Sequence, residues 1–285
     1  AFGCSMVEGE KKFSAHWQRG ATRFDALQGL TESLRAAMRE QADFMRRSVP
    51  VEPGKYPVVL SPEAAGVFAH ESFGHKSESD FMLSDESMRQ EWQLGKQVGS
   101  PLLSIAEYGL LPGSGYVPYD DEGSKARKNY LIKNGVLAGR LHSAQTAAAL
   151  EEGLTGNARA IDCTFEPIVR MTNTYIEPGE LSFDELIAPI KKGYFIKTIS
   201  HGSGMSTFTI APSLAYEIEN GRLGRPVQIS VITGSVFETL GLIDGLTRET
   251  EMLSFVTGGC GKMEQQGLPV GFGGPYVRVS AMNVQ

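Results

Sequence analysis

His70-Glu71-Ser72-Phe73-Gly74-His75 sets a carboxylate beside one imidazole and supplies a second imidazole five residues on. Those are the parts of a hydrolytic zinc site. In the His-Glu-x-x-His arrangement the histidines lie four apart on one helical face, and the glutamate acts as general base toward a metal-bound water. This chain has one residue more. At about 100° per residue, a five-residue step turns the second histidine roughly 140° from the first, so a regular helix cannot aim both at one ion. A π-type bulge or an early helix end would absorb the extra residue, and Gly74 is the residue type that least resists a broken helical turn. The helix carrying His70 is therefore expected to leave α geometry before His75.

A catalytic zinc takes three protein ligands and leaves its fourth position to water. Candidates for the third ligand are Cys260, Cys163, His142, His201, Glu78 and Asp80. Cys163 lies in the strand-like run Ala160 to Phe165, where a buried, inert thiol is expected. Cys260 is set among Gly258, Gly259 and Gly261, which would let backbone and sulfur approach an ion, and Lys262 could help stabilise its thiolate. The three cysteines are too few and too widely spaced for a disulfide framework.

The motif needs an element to carry it. Tyr56 to Leu60 reads as a short strand, and Ser61-Pro62-Glu63 supplies an N-cap, a proline at N1 and an early acid for the helix that follows. Ala64, Ala65, Gly66 and Ala69 suit a helix packed tightly in the interior. Upstream, Thr22 to Arg47 places Leu27, Leu30, Leu34, Met38, Ala42 and Met45 at helical steps, the pattern of an amphipathic connector helix packed on its own domain or against a partner. Leu83 to Gly123 is rich in Gly, Pro, Ser and charge, with Glu86 to Gln97 as a short helix. After Lys128 strands dominate. Asn134-Gly135 and Asn220-Gly221 are hairpin turns, and Val227 to Ile232 alternates as a half-buried strand. Short helices are expected at Ala144–Glu151 and at Ser182–Ile190, the latter with Ser182 and Glu185 as a capping box. These elements predict an α+β fold: a large curved or barrel-like, mainly antiparallel sheet carrying a metal-binding helix, with an N-terminal connector helix.

The 285 residues, 41% of them hydrophobic, are enough for a real core. A net charge of -6 offers no basic face for nucleic acid. No run of about 20 apolar residues and no basic-then-apolar leader is visible, so a soluble cytoplasmic protein is expected. The chain opens at Ala1 as though inside a strand or loop, and a preceding segment is expected.

Beyond the hexapeptide, the run extends through Glu78 and Asp80, and further blocks follow in order: Tyr119 to Gly123, Thr155 to Arg159, Arg170 to Gly179, and Cys260-Gly261-Lys262 with Gly267 to Pro275. Together they resemble the TldD/PmbA family, metallopeptidases that act on small or unstructured peptides. The resemblance implies one zinc per chain held by His70, His75 and Cys260, with Glu71 as the catalytic base. It also implies residues 1–55 as the end of an N-terminal domain plus connector helix, and residues 56–285 as the peptidase domain. A homodimer, or a heterodimer with a related subunit lacking the motif, is implied as well. Retention of the four site residues places this chain on the active side of such a pair.

In the mechanism so implied, Glu71 takes a proton from the zinc-bound water and returns it to the leaving amine after attack on the peptide carbonyl. Glu78 and Asp80 are candidate acceptors for the imidazole N–H groups. His201 and Tyr175 are candidates for stabilising the oxyanion. Arg170 to Thr174, including Asn173, could receive an extended peptide at a sheet edge. The alternative functions are a non-catalytic zinc-binding scaffold that pairs with an active protease, and an oxidoreductase or thiol enzyme using Cys260 as nucleophile.

Overall fold

The computed structural model describes residues 1–254 and 256–285. Phe2–Glu8 and Lys11–Trp17 form an antiparallel hairpin, followed by a single 3-10 turn at Phe24–Leu27 and helix α1 at Thr31–Arg47. The helix read from Thr22 is thus interrupted before Thr31. Gly29, at φ +70°, holds a left-handed conformation that helical propagation does not tolerate. α1 packs on its own chain: Gln41 exchanges two hydrogen bonds with the backbone of His16, and Phe44 lies against Phe13 and Tyr216.

Five strands close a barrel: β1 (Gly54–Leu60), β2 (Lys192–Gly204), β3 (Thr207–Glu219), β4 (Ile232–Ser235) and β5 (Gly271–Val284). β1 pairs in parallel with β2 and antiparallel with β5; β5 pairs with β4, β4 with β3, and β3 with β2, all antiparallel. The sheet is therefore mixed, with antiparallel pairs in the majority. Val58, Leu60, Ile196, Ile210, Ile232, Val277 and Val279 are buried in the main core. At its N-terminal end β5 extends beyond the barrel, where Asn173–Ile176 joins it in parallel and Ile105–Glu107 pairs with that strand in turn. Both expected Asn-Gly turns form, with Asn134, Gly135, Asn220 and Gly221 all at positive φ, as type I′ hairpins require.

Other expectations hold less completely. Val227 to Ile232 alternates in burial, yet it is not one strand: Arg222–Gln228 ends and β4 begins at Ile232, because the amides of Ser230 and Val231 both bond to the Gln285 carbonyl. The helix near Glu86 stops at Glu91, where Trp92 enters the core. Cys163 is exposed and outside any strand. Asp162 makes the local turn there, accepting from both the amide and the hydroxyl of Thr164. The two short helices expected after Lys128 form as Ala144–Leu150 and Phe183–Ile187, each carrying a capping box.

Candidate metal centre

Helix α2 (Pro62–Ala69) follows β1 directly, and Ser61 accepts the Ala64 amide as its N-cap. Every residue of α2 except Glu63 is buried. The helix lies so close to β5 that a Cβ on Gly66 would stand 2.4 Å from the Gly273 nitrogen, so glycine is required at the crossing. From His70 to Gly74 the α-helix widens into a π turn, in which the His75 amide bonds to the His70 carbonyl five residues back. This is the deviation that the histidine spacing demands. Gly74 itself keeps ordinary right-handed helical angles. Its smallness serves contact rather than flexibility, since a Cβ there would fall 2.0 Å from Met171 Sδ.

The π turn brings the two imidazoles together, with ring centroids 5.1 Å apart and planes at 82°. Cys260 comes from a separate two-stranded hairpin, Cys260–Lys262 with Gln265–Leu268. One donor atom from each of His70, His75 and Cys260 lies within 4.8 Å of the other two. His75 Nε2 is 3.4 Å from Cys260 Sγ. Zinc–nitrogen and zinc–sulfur bonds at tetrahedral angles would put such atoms about 3.6 Å apart, so this edge of the site needs almost no adjustment. His75 Nδ1 is 3.1 Å from Glu78 Oε2, which leaves Nε2 facing the sulfur, the usual division of labour in a metal-bound histidine. His70 Nδ1 is buried without a hydrogen-bond partner among the described residues.

Electrostatics favour a cation here. Burial, reinforced by the nearby charges of His75 and Arg170, holds His70 well below the usual histidine range, so its ring is a neutral donor. Burial also works against a charged His75, but Glu78 and Cys260 outweigh it and push that imidazole up to about 11. A proton therefore occupies the ring in the absence of a competing cation. Glu71, inside the π turn, is raised by burial, with His75 opposing and Glu78 adding to the shift. A raised carboxyl suits a group that must both take and return a proton. Gly202 and Gly204 of β2 approach it closely: Cβ atoms there would lie 3.5 Å from Glu71 Cγ and 3.2 Å from the Glu71 carbonyl oxygen.

The remaining residues singled out from the sequence divide clearly. Glu78 contacts His75, whereas Asp80 meets no imidazole and instead grips the Lys262 ammonium through both oxygens at 2.7 Å. Lys262 is thus committed to carboxylates and to the Val169 carbonyl, not to the Cys260 sulfur. Arg170 is fully buried and donates to the carbonyls of Cys260 and Gln265, so it braces the hairpin and has no surface to offer a substrate. Asn173 is also buried, and its amide donates to the carbonyls of Tyr108, Leu111 and Gly115. Tyr175 sits beneath Lys128. The strand bearing Asn173 and Tyr175 is flanked on both sides by β5 and Ile105–Glu107, so it has no open edge for a peptide.

His201 is exposed within β2. Because Gly202 faces Val67 and Glu71, its neighbour His201 projects from the opposite face. His142 belongs to another buried polar group, with Ser79, Thr146 and Glu152. The acids of Tyr119 to Gly123 are structural: Asp120 accepts from the amides of Glu122, Ser124 and Ala158, and Asp121 from Ala160. The bracing by Arg170, the contact of Gly74 with Met171 and the approach of Gly202 and Gly204 carry no signal in local sequence. The Cys260-x-Lys262 spacing does carry one, because alternate residues of a strand share a face.

Comparison with known proteins gives the family. A family model described as the PmbA/TldA metallopeptidase C-terminal domain matches residues 53–285. A metalloprotease of Methanocaldococcus jannaschii is 37% identical over 279 residues, covering 95% of this chain and 60% of its own. A zinc metalloprotease TldD homolog of Saccharolobus solfataricus is 35% identical over 235 residues, covering 81% of this chain and 52% of its own. The chain thus spans about half to three-fifths of these relatives' length. Among solved structures, TldE from Thermococcus kodakarensis superposes with a TM-score of 0.71 at 18% identity, covering 98% of this chain and 61% of that one. A putative modulator of DNA gyrase from Thermotoga maritima gives 0.72 at 22%, covering 96% and 58%. These two likenesses concern the fold. No helix among the described residues is long and apolar enough to cross a membrane. The chain belongs to the PmbA/TldD metallopeptidase family, of which it carries the C-terminal part.

Proposed function

We propose that this chain carries the catalytic centre of a zinc peptidase acting on small or unstructured peptides, with one zinc per chain held by His70, His75 and Cys260. The observation that carries the proposal is the π turn, which converts an unsuitable histidine spacing into a convergent pair facing a cysteine from a distant hairpin. Two imidazoles and one thiolate suit zinc's borderline-soft character and leave a fourth position open. Bound zinc would polarise the scissile carbonyl and acidify the attacking water.

The chain's own groups do the rest. Glu71 accepts the water's proton and returns it to the departing amine, a double role consistent with its raised carboxyl. Glu78 fixes the ring of His75 so that Nε2 points into the site. Gly202 and Gly204 keep β2 free of side chains beside the base. The reading further takes residues 1–55 as the end of a preceding domain with its connector helix, residues 56–285 as the peptidase domain, and the cytoplasm as its compartment. The active unit is a dimer with a second copy or a related subunit.

Glu71→Gln provides the test. Retained zinc with loss of cleavage across a peptide library is the expected result. A Glu71→Gln variant that still cleaves at the parent rate overturns the assignment of the base. A parent that binds zinc and cleaves no peptide supports the scaffold alternative, and a metal-free parent whose activity is blocked by thiol alkylation supports the thiol enzyme.

A further inference from the structure

The three proposed ligands come from two structurally separate pieces. His70 and His75 lie on the π turn and its end, and Cys260 lies in a hairpin whose strands, among the described residues, pair only with each other. In the chain the hairpin lies between Ile243–Ser254 and β5, whose ladder reaches Ser254 opposite Gly271, so that ladder anchors the base of the hairpin but not the Cys260 strand itself. Side chains add the link to the imidazole. Arg170 holds the hairpin by two of its carbonyls, Cys260 and Gln265, and its charge lies near enough to His70 to act on that ring, but its hydrogen bonds to the hairpin are made from the backbone side.

Lys262 does bridge the two pieces. Its side chain is buried, and its ammonium lies 2.7 Å from each oxygen of Asp80, 2.7 Å from the Val169 carbonyl and 3.2 Å from Glu78 Oε2. The face of Phe81 covers it at 4.4 Å. Glu78 Oε2 is also the atom that meets His75 Nδ1. One carboxylate oxygen thus touches both the lysine of the cysteine strand and the histidine of the helical segment. Cys260 and Lys262 are both buried with exposed Gly261 between them, so they share a face despite the register shift between them in the hairpin, and clamping the lysine also restrains the sulfur.

We infer that Lys262 is a positioning residue for the metal centre: with Asp80 and Glu78 it locks the Cys260 hairpin onto the His75 segment and fixes the sulfur–imidazole geometry. The inference rests on the metal-centre reading above. It separates Lys262 from a general stabilising role, because a lock of this kind sets how well the sulfur meets a metal, not only how well the chain folds. Lys262→Met keeps most of the stem and removes the charge, and Asp80→Asn weakens the same clamp from the other side with a smaller perturbation.

The test loads the parent chain and both variants with Co(II) alone and reads the near-ultraviolet thiolate-to-cobalt band, then measures zinc affinity by chelator competition. Urea unfolding of the metal-free proteins is run in parallel. The expected result is a zinc affinity lower by roughly 10- to 100-fold in Lys262→Met, with a smaller loss in Asp80→Asn, and a weakened or shifted thiolate band in both. If Lys262→Met does not fold, Asp80→Asn decides by the same readouts. Unchanged band and affinity in a folded variant, even one with reduced stability, overturn the inference alone. A parent chain that shows no thiolate band on cobalt loading overturns the metal-centre reading and the inference with it.

Discussion

Replacing Gly74 by alanine places one methyl group where the structure has no room for it. The added Cβ would stand 2.0 Å from Met171 Sδ and 3.0 Å from its Cε. Comfortable carbon contacts begin near 3.5 Å, so the sulfur must retreat by about 1.5 Å. Met171 is fully buried, and a retreat forces neighbouring side chains off their rotamers. Overpacking of this kind costs about 1–3 kcal/mol. Met171→Ala alone removes a buried side chain and costs about 2–5 kcal/mol. In the double variant the new methyl enters space the methionine has vacated, so the overpacking cost disappears and the two losses are not additive. The expected coupling is about 1–3 kcal/mol in favour of the double variant, read from urea unfolding of the two singles, the double and the parent. Simple additivity would refute the argument that Gly74 is required by Met171, and would return the explanation to backbone flexibility.

Other perturbations follow from the same contacts. Burial lifts Glu63 to about 7, with the Ile199 amide opposing and Glu251 adding. The folded chain thus holds this proton longer than the unfolded chain, and the contribution is full below about pH 4.5 and lost as pH rises toward 7. Glu63→Gln keeps an acceptor for the Ile199 amide and removes the loss; its stability relative to the parent should rise across that window by up to about 3 kcal/mol, and a flat difference against pH would contradict the assignment. Arg170→Met strips the buried carbonyls of Cys260 and Gln265 of a donor at about 1–3 kcal/mol each, lowering unfolding free energy. If instead it weakens peptide KM with unchanged stability, Arg170 contacts substrate after all. Cys163, being exposed, should be alkylated rapidly in the folded chain while buried Cys260 is slow, and Cys163→Ser should leave cleavage unchanged; mass spectrometry of labelled peptides gives the order.

What the sequence makes legible here is largely local. The Asn-Gly turns, the Ser182–Glu185 box and the Ser61-Pro62 helix start each depend on neighbours in the chain, and each forms. The π turn is legible for the same reason, because five residues between histidines conflict with α geometry over a single turn. The burial of Arg170 and Asn173 is not legible, because a buried polar side chain and a substrate-facing one look alike until their distant acceptors are known: the Cys260 and Gln265 carbonyls for one, the Tyr108 to Gly115 loop for the other. Lys262 is noticed for its nearness in sequence to Cys260, yet its partners Asp80 and Glu78 come from the other side of the site. Cys163 looks strand-like from its apolar neighbours, but the side chain of Asp162 supplies a turn that outcompetes strand pairing.

The central claim is that His70, His75 and Cys260 jointly hold one zinc. X-ray absorption at the zinc edge of the metal-loaded chain tests it most directly. The account predicts a single sulfur scatterer at about 2.3 Å together with nitrogen or oxygen scatterers at about 2.0–2.1 Å, the sulfur vanishing in Cys260→Ser. A zinc shell without sulfur in the parent chain, or one unaltered by Cys260→Ser, would contradict it.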